Sequence, residues 1–197
     1  MNSNAAVADR TLTASELEQA RLYFHQTRDG ALGAIKGLSP AQWNFKPAAD
    51  RWSIAQILEH VVVVQERVVE RLRDQIPQAP PPPPDYDYKQ VDAIVIHQFP
   101  ARLSKLSAPE VAHPNGRWTT SEMLERLIAN YDRFEISLES TPDLRAHVLE
   151  GPPLKAITQG QYPWMDGYHW LLAAAAHTER HTKQILEVKA AADFPVN

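Results

Sequence analysis

Two histidines near the end of the chain, His177 and His181, stand one helical turn apart in an alanine-rich, apolar stretch. At 3.6 residues per turn, positions i and i+4 leave the same face about 6 Å apart along the axis, so both imidazoles can reach one metal ion. Leu171, Ala173 and Ala174 lie one or two turns before this face and Ile185 and Val188 continue it, which turns the two rings toward a packed interior. A third ligand has to come from another helix. His60 is the best placed, because Ile54, Ile57, Leu58, Val61, Val64, Val68 and Leu72 recur around it at helical spacing and His60 borders that apolar stripe. Three neutral imidazoles from two helices leave a divalent ion with its full charge and a vacant coordination position. Such an ion acts as a Lewis acid and lowers the pKa of a thiol or water that shares it.

Other residues near these three have weaker claims. Glu59, adjacent to His60, is a candidate to orient it from outside the ligand set. His169 lies two turns before His177, where it can line the mouth of the pocket or cap and pack the helix start. Glu179 sits between the paired histidines, but His-Thr-Glu-Arg-His differs from the metalloprotease pattern His-Glu-x-x-His, so Glu179 is expected to project away from the metal face. Arg180 and Lys183 are read as solvated helix charges, and His25, His97, His113 and His147 as surface or loop residues. Trp43, Trp52, Trp118, Trp164 and Trp170 are read as aromatics of the core and its ends.

Four long helices must position the three histidines. Thr13 and Glu16 form a capping box that opens helix 1 over about 13–37, with a close approach or bend expected at Gly30. A connector over 38–52 carries Trp43, Phe45 and Trp52, after which Ser53 and Gln56 open helix 2 over about 53–75. Thr119 and Glu122 open helix 3, which runs to about Ser140, and Asp166 caps helix 4, which runs to about Ala191. Between helices 2 and 3 lie a stiff proline-rich arm at 77–84, read as crossing the surface, and a short helix within 89–103. Between helices 3 and 4, residues 141–164 read as irregular, and no convincing strand pattern is visible. The expected fold is therefore all-α, a four-helix bundle with long irregular connections between helices 2 and 3 and between helices 3 and 4. Residues 1–12 read as a flexible tail and 13–197 as a single domain.

Composition narrows the chemistry. The chain has 197 residues, 44% of them hydrophobic, which is enough for an ordinary single core. It contains no cysteine, so disulfides, cysteine-based metal sites and a protein thiol nucleophile are excluded. Any thiol chemistry must use a thiol carried by a small molecule. A net charge of -4 without basic clusters gives no reason to expect nucleic acid as a partner. A polar start and the lack of a long apolar run point to a cytoplasmic protein with no membrane association. Pairing through a helix face would give a homodimer, a common outcome for bundles of this size.

Leu38-Ser39-Pro40, Phe45-Lys46-Pro47 and the run from Arg51-Trp52-Ser53-Ile54 to Glu59-His60 are followed, more than a hundred residues later, by His177-Thr178-Glu179-Arg180-His181-Thr182-Lys183-Gln184-Ile185. Together these segments resemble the DinB-like superfamily of metal-binding four-helix bundles. That resemblance implies a site holding nickel, zinc or another divalent ion, with ligands corresponding to His60, His177 and His181. Characterised members of the family include transferases and isomerases that use bacillithiol, mycothiol or glutathione. The leading expectation is a metal-dependent transferase that activates a low-molecular-weight thiol against an electrophilic small-molecule substrate. A metal-dependent hydrolase, and a non-catalytic metal-binding or stress-related dimer, remain open beside it.

Overall fold

The computed structural model describes residues 11–101, 108–141 and 143–196. The expected tail at 1–12 falls almost wholly outside the described residues. Among those described, helices dominate: α1 (Ala14–Ile35), α2 (Pro40–Asn44), α3 (Ile54–Asp74), α4 (Tyr88–Gln98), α5 (Thr120–Ser140), α6 (Pro152–Ile157) and α7 (Gly167–Lys189). Every long helix starts where its capping residues require. Thr13, Ser53, Thr119 and Asp166 each accept a hydrogen bond from the amide three residues on, and at the first three of these the Glu or Gln side chain at that third position bonds back.

Helix α7 lies at the centre, packing against α1, α3 and α4, while α5 packs against α3 and α1. Its alanines explain how it can touch so many neighbours. Ala173, Ala174, Ala175 and Ala176 are all buried, and side chains this small let adjacent helices approach closely. Phe24, Ile54, Ile57, Leu58, Leu127, Phe134 and Leu171 fill one continuous core around it. A buried polar layer crosses the same core. Gln65 donates to Thr178 Oγ1 at 3.0 Å and accepts from Asn130 Nδ2 at 3.3 Å, joining α3, α7 and α5.

Three sequence expectations change. Helix α1 runs unbroken through Gly30 and Gly33, and a Cβ on either would meet nothing within 4 Å, so no close approach explains Gly30. The 38–52 connector contains α2, opened by a capping box of Ser39 and Gln42. The 141–164 segment is mostly irregular, but it holds two strands that were not expected, β1 (Val148–Glu150) and, from its last residue, β2 (Trp164–Asp166), with α6 between them. The two strands pair antiparallel, Val148 opposite Asp166 and Glu150 opposite Trp164, and so carry the chain into the cap of α7. Strands of three residues are too short to show alternation in the sequence. The proline arm is also pinned at its base, where the Ala79 and Pro80 carbonyls accept from His147 Nδ1 at 2.6 Å and Val148 N at 2.9 Å.

Tight packing then fixes how α7 begins. Gly167 donates its amide to the Leu144 carbonyl at 2.7 Å. A Cβ at Gly167 would stand 2.8 Å from Leu144 Cδ2 and 2.9 Å from Leu144 O.

Candidate metal centre

The first turns of α3 and the middle of α7 bring His60, His177 and His181 together, each offering one ligand atom with all three atoms within 4.8 Å of one another. Ring centroids lie 4.9 Å apart for His60 and His177, 4.8 Å for His60 and His181, and 4.3 Å for His177 and His181. His60 and His181 are buried and His177 is half-buried.

The outer nitrogens show which lone pairs are available. His60 Nδ1 lies 2.8 Å from the Ala112 carbonyl, which can only accept, so Nδ1 carries the proton and Nε2 is bare. His181 Nδ1 faces Gln184 Oε1 at 2.9 Å, which favours the same tautomer. His60 Nε2 and His177 Nε2 are 3.0 Å apart. Two imidazoles on one ion, with bonds of about 2.0–2.1 Å, hold their nitrogens roughly 2.9–3.4 Å apart at tetrahedral to right angles, so this pair fits a shared cation. His177 Nδ1 is buried with no hydrogen-bond partner. Burial pushes the His60 and His177 pKa values down, His177 further because His181 and His60 stand beside it. Neutral rings are the form that coordinates metal.

Around the three rings the chain supplies a supporting layer. Trp52, just before α3, packs on His60 with ring centroids 5.0 Å apart, and also meets His113 at 6.3 Å. Glu59 points away from the histidines. Its carboxylate accepts from the amides of Asn115 and Gly116 at 2.9 Å and from Arg117 Nη1 at 2.6 Å. Burial works against the Glu59 charge, but these donors outweigh it and hold the carboxyl below its ordinary range. Glu179 also faces elsewhere, as expected: it accepts from the Tyr23 hydroxyl at 2.9 Å and pairs with Lys183 at 2.7 Å. Arg180 and Lys183 reach the Phe99 and Pro100 carbonyls. A recess of about 380 Å³ borders Glu59, Lys46 and Trp118 but includes none of the three histidines.

His169 belongs to a different cluster and does not line this site. Fully buried, it places Nδ1 2.7 Å from Asp166 and Nε2 2.9 Å from Asp92. Arg145, also buried, joins Asp166 at 3.1 Å and both Asp92 and Glu16 at 2.8 Å. Burial opposes the His169 charge, but the two aspartates overcome it and raise its pKa to about 9.

Residues 23–185, most of the chain, match the sequence profile of the DinB superfamily. The chain belongs to the DinB superfamily. The uncharacterized protein YuaE of Bacillus subtilis (strain 168) is 24% identical over 168 residues, covering 84% of this chain and 94% of its own length. No solved structure matches. The histidine triad of this DinB-superfamily chain lies within the matched span. Among the described residues, no helix is long and apolar enough to cross a membrane.

The sequence pattern did not reveal the Ala112 carbonyl or the packing of Trp52 on His60. A backbone oxygen carries no side-chain signature. Gln184 was visible only as the last polar position of the His-x-x-x-His-x-x-Gln motif.

Proposed function

We propose that this DinB-superfamily protein is a metal-dependent enzyme that transfers a low-molecular-weight thiol to an electrophilic carbon. The observation that carries the reading is the convergence of three imidazoles, with His60 Nε2 and His177 Nε2 3.0 Å apart and His60 Nδ1 committed to a carbonyl. His60, His177 and His181 would hold a divalent cation; imidazole ligands suit zinc, nickel, copper and iron alike, and the resemblance to the family favours nickel or zinc. When bound, the cation supplies Lewis acidity that lowers the pKa of a thiol sharing it. The chain's own part is to keep His60 and His177 neutral by burial and to present the lone pairs of the three rings to one point. Trp52 screens one side of His60 from water.

Because the chain has no cysteine, the thiol in this reaction has to arrive on the cosubstrate. In the transfer, the thiol gives its proton to solvent water, the sulfur lone pair forms a carbon–sulfur bond, and the leaving group departs with the electrons of the bond it breaks. The four long helices α1, α3, α5 and α7 would form the four-helix bundle typical of the family, with the site between α3 and α7.

The test is thiol consumption by the zinc- or nickel-loaded protein, with bacillithiol, mycothiol or glutathione and a reactive electrophile, with and without chelator. Chelator-sensitive consumption with at least one thiol is expected. Ester turnover without added thiol would assign a hydrolase instead, and inertness in both assays with metal bound would refute an enzymatic role.

A further inference from the structure

We infer that Glu59 is a positioning residue for the metal centre: it clamps the loop whose Ala112 carbonyl fixes the tautomer of His60. The inference rests on the metal-binding reading of the triad for its affinity arm, but its tautomer arm needs no metal. Glu59 and His60 are consecutive on α3 and grip the same stretch of chain. His60 takes the Ala112 carbonyl at the end of a single 3-10 turn, Glu110–Ala112. Glu59 takes the amides of Asn115 and Gly116 at 2.9 Å and, more weakly, that of Arg117 at 3.4 Å. Three successive amides can converge on one carboxylate because Gly116 adopts φ +78°, the left-handed conformation that turns the backbone into an anion-binding nest.

Arg117 closes the ring between the two grips. Its Nη1 donates both to Glu59 Oε1 at 2.6 Å and to the His113 carbonyl at 2.8 Å, and Nη2 reaches the Val111 carbonyl at 3.4 Å. The carbonyls on either side of Ala112 are thus held by a guanidinium that Glu59 holds in turn. Ala112 itself is fully buried, so in this arrangement no bulk water competes with its oxygen for the His60 ring. With the carbonyl in place, Nδ1 keeps its proton and Nε2 faces the other two rings. An acceptor on the far nitrogen of a ligating histidine orients the ring and raises its basicity, and losing such a partner typically costs about 10–100-fold in metal affinity.

Glu59→Gln keeps the size of the side chain but removes its charge and places an amide donor against the nest. Two readouts on the full-length protein test the inference. In the metal-free protein, nitrogen-15 spectra of the histidine rings should show His60 protonated at Nδ1 in the wild type and a mixed tautomer in Glu59→Gln. In chelator competition with zinc, Glu59→Gln should bind about 10–100-fold more weakly. Gly116→Ala, which strains the nest without touching the carboxylate, should move both readouts in the same direction. Leu138→Ala, a core change far along α5, controls for lost stability and should leave the His60 tautomer as in the wild type.

An unchanged His60 tautomer in folded Glu59→Gln and Gly116→Ala overturns the inference, as does zinc affinity equal to wild type in both. A wild type that binds no zinc while its His60 tautomer still responds to Glu59 would overturn the metal reading and leave the clamp standing.

Discussion

His169→Gln gives a prediction whose size follows from the structure. His169 is fully buried between Asp166 Oδ1 at 2.7 Å and Asp92 Oδ1 at 2.9 Å, and its pKa rises from 6.5 to about 9. A histidine whose pKa is raised on folding contributes stability that is fully present below its unfolded value, 6.5, and is lost as pH climbs through its folded value, about 9. At about 1.4 kcal/mol per pH unit, the span from 6.5 to about 9 corresponds to roughly 3 kcal/mol. His169→Gln removes this contribution while leaving the backbone cap of α7, in which Asp166 Oδ1 accepts the amide of residue 169 at 2.8 Å. Urea unfolding of both proteins at pH 6, 8 and 10 reads it directly. The wild type should exceed the variant most at pH 6, and the gap should narrow by roughly 3 kcal/mol by pH 10, about 6–12 °C in Tm for a chain of this size. A gap that stays constant across this range, or widens with pH, would refute a charged His169.

Other perturbations probe packing and the site. Gly167→Ala should lower stability by about 1–3 kcal/mol, read as a lower Tm, because its Cβ would meet Leu144 O at 2.9 Å and a backbone oxygen cannot rotate aside. Gln65→Leu should cost about 1–3 kcal/mol in urea unfolding, since Thr178 and Asn130 lose the partner that joins them in the core. His60→Ala should abolish zinc retention through dialysis yet keep the helical circular dichroism signal, because α3 retains its Ser53 cap and its buried apolar face.

Local chemistry was legible in the sequence and long-range chemistry was not. The starts of α1, α3, α5 and α7 could be placed from Thr13, Ser53, Thr119 and Asp166 because a capping residue and its partner lie three positions apart. The His177 and His181 pair was visible for the same reason. His60 stands 117 positions from His177, so only its place beside the apolar stripe of its own helix and the family motif pointed to the pairing. Arg145 carries no local signal, since its partners Glu16, Asp92 and Asp166 lie 129, 53 and 21 residues away. The support of His60 was hidden in another way: it comes from the main-chain oxygen of Ala112, a position where nearly any residue could supply the same atom. Glu59 stood beside His60 in sequence, but it reaches that histidine only through the 111–117 loop.

The central claim is that three rings from α3 and α7 hold a single cation. Elemental analysis of the protein purified after loading with zinc or nickel, beside His177→Ala treated identically, tests it most directly. One ion per chain in the wild type and close to none in the variant is the predicted result. Equal metal in the two proteins, or none in the wild type, would contradict it.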